Sequence, residues 1–176
     1  MSRVIRKSRA QSAGEALDLL GALCSAELIS PSTCLWLVSP WISDVDIIDN
    51  SAGTYPVLTH YGRRRIRLAE ILVTLAAQGT RVVIGTTSDS HNNTFLLRLQ
   101  LLARDFRVAD GISVVKDHSG ELHTKALTGD DYVLVGSMNI THNGIHLREE
   151  YVEFRTQPDF VAMARMDAFD RFGGVL

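Results

Sequence analysis

The sequence has few cysteines and no long apolar run. Its two cysteines, Cys24 and Cys34, lack the Cys-x-x-Cys spacing of metal and redox sites, so we interpret both as buried free thiols, with a disulfide as the less favoured alternative. No apolar stretch approaches the roughly 20 residues that a membrane-spanning helix needs. No apolar segment of a signal peptide follows the first basic residues either. We therefore expect a cytoplasmic protein that does not enter a membrane.

The chain also lacks an excess of positive charge. Its net charge is −2, so it is not a protein coated in basic residues. Arginine nevertheless accounts for 15 of the 18 basic residues, and its planar guanidinium suits bidentate phosphate contacts better than lysine does. The basic residues cluster at Arg3, Arg6, Lys7 and Arg9, and again at Arg63, Arg64, Arg65 and Arg67. These clusters are either solvated helix surfaces or a strip that binds nucleic acid, and Arg63, Arg64 and Arg65 are candidates for substrate binding.

The spacing of apolar residues predicts an α/β fold. Helical periodicity appears at 13–29, 61–78, 94–105 and 158–172, and runs typical of strands appear at 34–38, 81–85, 112–115, 132–135 and 149–155. We interpret the basic start as mobile and residues 43–59 as a long loop near the mouth of a site. Since no repeat, low-complexity segment or linker divides the chain, we expect one domain over residues 1–176. Its core is a mixed β-sheet flanked by helices on both faces.

The segment 121–139 predicts a β-hairpin that presents polar side chains on one surface. Side chains two apart on a strand share a face, so His123 and Lys125 project together, as do Ser137 and Asn139 on the returning strand. With a connecting loop of about three residues, Ser137 lies roughly opposite His123. An imidazole, an ammonium, a hydroxyl and a carboxamide then form one patch that can hold and attack a phosphoryl group.

These residues resemble the HKD motif of the phospholipase D superfamily, H-x-K-x4-D-x6-G-S-x-N. The motif falls on His123, Lys125, Asp130, Gly136, Ser137 and Asn139. The sequence departs from it in one place, with five residues rather than six between Asp130 and Gly136. This departure changes the hairpin turn and keeps the pairs that share a face. We interpret Asp130 as a structural residue that satisfies the turn.

An acidic residue on the predicted strand at 149–155 is a further candidate. Glu150 shares the apolar face of that strand with Val152 and Phe154. A carboxylate on a buried face is costly unless it is paired, and a catalytic histidine is a plausible partner. The superfamily has an acid at about this distance after its G-S-x-N, hydrogen-bonded to the catalytic imidazole. Both arguments select Glu150 as the residue that orients His123.

The resemblance implies a reaction through a phosphohistidine. His123 is then the nucleophile, Lys125 and Asn139 hold the non-bridging oxygens of the phosphate, and Ser137 orients the imidazole or contacts the phosphate. The sequence has no cluster of aspartate, cysteine and histidine that suggests a metal site. We expect neither a metal nor another cofactor.

The sequence contains a single His-x-Lys, at His123 and Lys125. Cleavage of a phosphodiester also requires an acid that protonates the leaving oxygen. In the superfamily two motifs meet at one site, and members with a single motif dimerise. Because contact about a two-fold axis places the same patch of each subunit face to face, we expect a homodimer with one composite active site.

Trp41 lies in a Ser-Pro-Trp-Ile stretch that follows the first predicted strand of the sheet. The superfamily commonly has a similar Ser-Pro-aromatic-Ile stretch near its active site. Two interpretations of Trp41 remain open, core packing and stacking on the substrate, and it is a candidate for substrate binding.

The resemblance favours a nuclease that acts on DNA. The short chain is similar to the small nuclease-type members, and the stretches LWLVSPWISD and GSMNITHNGI resemble phospholipase D-like proteins of bacterial deazaguanine DNA-modification and restriction clusters. That likeness implies defence against phage or other foreign DNA, together with other proteins of a complex. A phospholipid phosphodiesterase and a non-catalytic DNA-binding subunit of such a complex are the alternatives.

Overall fold

The computed structural model describes residues 2–7, 14–147 and 150–176. Its strands are β1 (Ser2–Lys7), β2 (Cys34–Val38), β3 (Asp46–Asp49), β4 (Arg65–Arg67), β5 (Arg81–Thr87), β6 (Ile112–Asp117), β7 (Ala126–Thr128), β8 (Val133–Gly136) and β9 (Glu150–Arg155). Its helices are α1 (Glu15–Ile29), α2 (Leu68–Ala77), α3 (Asn93–Asp105) and α4 (Pro158–Phe172). None of the helices in this part of the chain is both long and apolar enough to cross a membrane.

Seven of the described strands form one mixed sheet, as predicted. Their order is β1-β9-β8-β7-β2-β5-β6. The neighbours β2, β5 and β6 run parallel, whereas β7, β8, β9 and β1 join by antiparallel pairing. Every residue of the central strand β2 is buried, which explains why that strand is a continuous apolar run rather than an alternating one.

Apolar side chains cover the sheet on both faces. Leu35 and Leu37 of β2 belong to a core shared with α1, α2 and α3. Trp36 points to the other face, where it packs in a smaller cluster with Phe172 of α4. The predicted architecture of helices on both faces is therefore confirmed. Both cysteines are free and buried, and burial, with a further contribution from the charge of Glu27, raises the pKa of the Cys24 thiol to about 12.

The region before α2 differs from the prediction of one helix at 61–78. Helix α2 begins at Leu68, and β4 before it pairs with β3 as a separate antiparallel ribbon. Only Ile66 of the three β4 residues is buried, so the arginine-rich segment follows the alternation of a strand. A 3₁₀ turn at Pro56–Tyr61 fills part of the predicted loop. The arginine cluster therefore precedes the helix instead of occupying its first turns.

The basic start is also ordered differently from the prediction. Residues 2–7 form β1, which pairs antiparallel with β9 and buries Ile5 beside Val152. Strand β1 covers the backbone edge of β9, which would otherwise be unpaired. Exposed sheet edges generally need such protection. Arg9 lies outside the described residues.

The topology brings several strand ends to one edge of the sheet. Strands β2, β5, β6 and β8 end at this edge, and the antiparallel strands β7 and β9 begin there. The loops that follow parallel strands form crevices at such an edge, where open α/β sheets bind ligands. The edge is therefore the place where polar residues from distant parts of the chain can meet.

Candidate active site

A cleft of about 750 Å³ opens at this edge of the sheet. All five residues predicted to be catalytic line it, namely His123, Lys125, Ser137, Asn139 and Glu150. Trp41 lines it as well, together with residues that follow β5 and β6. Among the side chains that the structure describes, no group of three or more histidines, cysteines and acids is arranged to hold a metal ion.

The catalytic hairpin has a different register from the predicted one. The connection between β7 and β8 contains four residues, and the Gly129 amide donates to the Tyr132 carbonyl oxygen (3.1 Å). The longer connection shifts the pairing by one residue, so extension of the observed register sets Ser137 opposite Thr124 rather than His123. Strand β7 itself begins only after Lys125. His123 and Ser137 therefore both line the cleft, but they are not cross-strand partners.

Lys125 is held against His123. Its Nζ lies 3.3 Å from His123 Nδ1 and donates to the His123 carbonyl oxygen (2.5 Å). The lysine side chain is buried, whereas His123 is exposed. Burial lowers the pKa of Lys125, and the negative charge of Glu150 partly opposes that shift. The cleft thus contains a desolvated cation directly beside an accessible imidazole.

Glu150 lies in the cleft, but its hydrogen bond goes to Ser137. Ser137 Oγ donates to Glu150 Oε2 and accepts from the Tyr151 amide (3.0 Å). The Ser137 amide in turn donates to the Tyr151 carbonyl oxygen (2.9 Å). The predicted pair of Glu150 with the His123 imidazole is therefore not formed in this structure, because Lys125 is the group at Nδ1 and Ser137 occupies the carboxylate.

Asn139 is buried and its amide has a defined orientation. Ser39 Oγ shares its single hydroxyl proton between the Trp41 carbonyl oxygen (2.9 Å) and Asn139 Oδ1 (3.2 Å). Because Oδ1 is the acceptor in this contact, Nδ2 is the end that can donate to an anion. The sequence analysis assigned no role to Ser39, although it precedes Trp41 in the stretch that was singled out.

Gly136 is required by close packing. A Cβ atom at this position would lie 2.0 Å from the Tyr151 carbonyl oxygen, a distance that no side chain tolerates. Gly144 has the same role on the other side of Asn139, because a Cβ there would lie 2.3 Å from the Asn139 carbonyl oxygen. These two glycines let the backbone of the site pack tightly around its side chains.

The carboxylate of Asp130 contacts residues outside the hairpin, rather than the turn that the sequence suggested. Its Oδ2 accepts from the Thr33 amide (2.7 Å), and its Oδ1 lies 3.1 Å from Arg165 Nη2. These contacts tie the far end of the catalytic hairpin to the start of β2 and to α4. They explain how an aspartate of the motif can lie outside the cleft.

The arginines proposed to bind substrate do not line the cleft. Arg64 donates to both oxygens of the buried Glu70 (Nη1 3.0 Å and Nη2 2.6 Å). Arg65 borders a separate cavity between α1 and β3, and Arg63 is an exposed residue of the preceding loop. Arg64 is held away from the cleft because the buried Glu70 carboxylate requires cationic partners. Arg98 Nη2 also lies 2.7 Å from this carboxylate.

Trp41 is partly exposed, so core packing is the wrong interpretation of this residue. Its relative exposure is 41%, compared with 0% for Trp36. The Trp41 indole Nε1 donates to Asp89 Oδ2 (3.2 Å). The hydrogen bond from the His91 amide, and to a lesser extent the one from the Trp41 indole, lowers the pKa of Asp89. Stacking on a substrate stays a prediction.

Asp117 is a site residue that the sequence analysis missed. The Asp117 carboxylate fixes the loop that leads to His123. It accepts hydrogen bonds from Ser119 Oγ (2.9 Å) and from the Leu122 amide (3.3 Å). Burial would raise the pKa of Asp117, but these bonds and Arg171 outweigh burial and lower it. An aspartate followed by Ser and Gly was the available sequence signal, which indicated only a turn.

One protein-family model matches most of the chain. Residues 45–171 match the family model described as "Cardiolipin synthase, PLD-like domain". A search of curated protein sequences finds no match.

Solved structures resemble the chain at low identity. NucT from Helicobacter pylori is 15% identical, with a TM-score of 0.59 over 99% of each chain. The phospholipase D family member Nuc from Salmonella typhimurium is 17% identical, with a TM-score of 0.59 over 97% of this chain and 93% of that one. Phosphatidylserine synthase of Haemophilus influenzae Rd KW20 is 14% identical, with a TM-score of 0.58 over 95% of this chain and 36% of that one.

These structural likenesses establish the fold, while the family model covers well over half of the sequence. Together with the residues of the HKD motif in the cleft, the match leads to one assignment: the chain belongs to the phospholipase D-like superfamily of phosphodiesterases.

Proposed function

We propose that the protein is a nuclease that cleaves phosphodiester bonds of DNA through a phosphohistidine on His123. The observation that carries the proposal is the convergence of the five motif and acidic side chains on one cleft at the edge of the sheet.

Lys125 and Asn139 are the groups proposed to bind the phosphate. A buried ammonium is costly without a counter-charge, and the described partners of Lys125 Nζ are atoms of His123. A phosphate oxygen would supply the missing charge. The Asn139 amide, oriented by Ser39, would donate to a second oxygen and stabilise the charge that develops on phosphorus during attack.

The nucleophilic step requires a change of partner at His123. Attack by Nε2 needs the proton on Nδ1, yet Nδ1 is the atom that faces Lys125. Once a phosphate draws Lys125 away, the imidazole can exchange its proton from Nε2 to Nδ1 through solvent, and Nδ1–H then donates to Glu150, which lines the same cleft. Nε2 then forms a bond to phosphorus as the bond to the leaving oxygen breaks. A water molecule hydrolyses the phosphohistidine in the second step.

The leaving oxygen needs a proton, and two sources of it are distinguishable. In the proposed homodimer, His123 of a second copy supplies the acid at a composite site. His118 is the alternative, because it lines the same cleft in the same chain. Sedimentation of the active species, together with His118→Ala, separates these sources. An active monomer that loses activity on His118→Ala contradicts the shared site.

The central experiment measures cleavage of labelled single-stranded and double-stranded DNA by the purified protein, with and without EDTA. We expect cleavage that EDTA does not abolish, and loss of it in His123→Ala with an unchanged melting temperature. Trapping of ³²P on the protein at acid-labile linkage would identify the intermediate. DNA binding without cleavage by the wild type would instead support a non-catalytic subunit.

A lipid phosphodiesterase is the second candidate. The description of the matching family model, a cardiolipin synthase, favours it. Phosphatidylcholine vesicles assayed beside DNA decide between the two substrates, because turnover of lipid alone would replace the nuclease proposal. A role in defence against foreign DNA rests on the sequence likeness only, and loss of phage protection in a His123→Ala strain would test it.

A further inference from the structure

The segment that carries Trp41 is fixed from several sides. The buried Asn92 accepts from the Ile42 amide through Oδ1 (2.8 Å) and donates through Nδ2 to the Pro40 carbonyl oxygen (2.9 Å). Thr87 Oγ1 donates to the same carbonyl oxygen (2.7 Å). The backbone on both sides of Trp41 is therefore anchored to the end of β5 and to the loop that follows it.

The ring itself is held with its polar atom already satisfied. Nε1 donates to Asp89 Oδ2 (3.2 Å), while Asp89 Oδ1 accepts from the His91 amide (2.8 Å). The exposed part of Trp41 is consequently apolar ring surface at the mouth of a polar cleft. Trp36 contrasts with it, because that indole donates to the Gly173 carbonyl oxygen and is entirely buried. A rigid, half-open aromatic ring loses little conformational entropy when a flat ligand stacks on it.

A side pocket of about 300 Å³ adjoins the cleft at Trp41. It is lined by Trp41, Asp89, His91, Asn139, Thr141, Asn143, Gly144 and Glu150. Four of these residues, Trp41, Asp89, Asn139 and Glu150, also line the catalytic cleft. The two spaces therefore form one continuous site, with His123 and Lys125 in the cleft and Trp41 at the junction.

The charges of the two spaces differ. Asp89 and Glu150 line both spaces, whereas Lys125 lines the cleft and, among the described residues, no lysine or arginine lines the side pocket. The cleft therefore favours a phosphate more than the side pocket does. The remaining polar side chains of the side pocket are hydrogen-bonding groups, which suit an uncharged ligand with donors and acceptors on its edge. A nucleobase has such an edge and two flat faces for stacking.

We infer that Trp41 and this side pocket bind one unpaired nucleobase next to the scissile phosphate, so that the substrate is single-stranded or locally unpaired DNA. In a duplex each base is stacked on both faces and its pairing edge is occupied, so it cannot enter the pocket without leaving the helix. The inference rests on the proposed nuclease function. A cationic lipid headgroup is the competing occupant, but the pocket offers a single tryptophan rather than the several aromatic rings of a cation cage.

The test compares wild type, Trp41→Ala and Trp41→Phe on a labelled single strand that contains one abasic residue at successive positions. Loss of stacking raises KM of Trp41→Ala by roughly 10-fold, within the range of one base–aromatic contact, with kcat within about threefold. The phenylalanine variant recovers most of the affinity. The abasic residue next to the cleaved bond weakens wild type equally and does not weaken Trp41→Ala further. Phe169→Ala, an exposed aromatic of α4 outside the cleft, is the control and leaves KM unchanged.

Several results would overturn the inference. An unchanged KM in Trp41→Ala, or an abasic effect that adds to that of the variant, shows that the ring does not hold the base. Equal cleavage of fully paired duplex also contradicts it. A wild type that cleaves no DNA removes the nuclease proposal instead. In that case quenching of Trp41 emission by a single-stranded oligonucleotide, set against phosphatidylcholine vesicles, decides whether the pocket takes a base or a headgroup.

Discussion

Two of the buried charged side chains, Glu70 and Lys125, lie in regions with opposite electrostatic surroundings. Glu70 is almost fully buried and lies within hydrogen-bonding distance of Arg64, Arg98 and the Arg67 amide. Lys125 is comparably buried, but no carboxylate of the described chain lies within 4.0 Å of its Nζ. The first region neutralises its charge within the fold. The second region leaves the buried Lys125 ammonium, among the described residues, without a carboxylate at ion-pair distance.

The difference separates stability from function. Removing a buried carboxylate that is fully paired destabilises the fold, because several hydrogen bonds to charged groups are lost together. A buried ion without a close counter-ion weakens the fold slightly. Because the local dielectric constant is low, such an ion also attracts a bound ligand of opposite charge more strongly than an exposed ion would. Arg64 and the Arg67 amide, in the segment that the sequence suggested as a substrate strip, therefore contribute to stability through Glu70, whereas Lys125 is the cation proposed to bind the substrate.

Substitution of Lys125 should have the largest effect on turnover. Lys125→Met is expected to reduce kcat/KM on DNA by about 10²–10³-fold, as removal of one charge-stabilising donor typically does, and to leave the melting temperature equal or higher. Kinetics and thermal unfolding measure the two effects. Lys116→Met, at an exposed position of β6, is the matched control. A strong loss of stability in Lys125→Met would show that the lysine is structural.

Substitution of Glu70 should have the reverse effect. Glu70→Gln removes the carboxylate from Arg64 and one of the two carboxylates at Arg98, which keeps Asp44 (2.8 Å). The free energy of unfolding is expected to fall by about 2 kcal/mol, as for loss of hydrogen bonds to a charged group, while kcat of the folded enzyme stays unchanged. Urea denaturation at neutral pH measures the loss, with the exposed Glu15→Gln as control. A large fall in kcat without loss of stability would join this network to the site.

Acid titration should reveal the same network. Burial would raise the pKa of Glu70, but bonds from Arg64, the Arg67 amide and Arg98 outweigh it and hold the pKa below 4.5. Its ionisation therefore stabilises the fold at pH values above 4.5, and this contribution is lost as the pH falls through the lowered pKa. Urea denaturation of wild type and Glu70→Gln should show a difference that shrinks on acidification. A constant difference would contradict the assignment.

Substitution of the exposed Arg63 should have the smallest effect. Arg63→Ala is expected to change the free energy of unfolding by less than about 0.5 kcal/mol, as is usual for exposed positions, and KM for DNA by less than about twofold, because Arg63 does not line the cleft. Denaturation and steady-state kinetics measure both. A marked rise in KM would restore the nucleic-acid strip that the sequence suggested.

The sequence allowed prediction of the features that depend on local periodicity. The buried strands β2 and β5, helices α1, α3 and α4, and the set of polar residues that share the cleft all follow from spacing that each segment contains by itself. The β3–β4 ribbon was missed because β4 has only three residues, too few for a period to appear. The pairing of β1 was missed because its apolar partner, Val152, lies far away in sequence.

The finer geometry of the site depends on register and on competition between partners. The hairpin register changed by one residue because the connection contains four residues rather than three. The partner of Glu150 could not be read from alternation, which places the carboxylate on a face but does not choose between His123 and Ser137. Asp117 and Ser39 act by fixing backbone and amide orientation, and no motif marks such roles.

The bond between Ser39 and Asn139 joins residues 100 positions apart, and β9, which holds Glu150, pairs with both β1 and β8. The nascent chain therefore has no complete site until the ribosome has synthesised β9, the last strand of the sheet. In the proposed nuclease, a truncated or half-folded copy would lack one wall of the cleft and could not cleave the DNA of the cell that makes it.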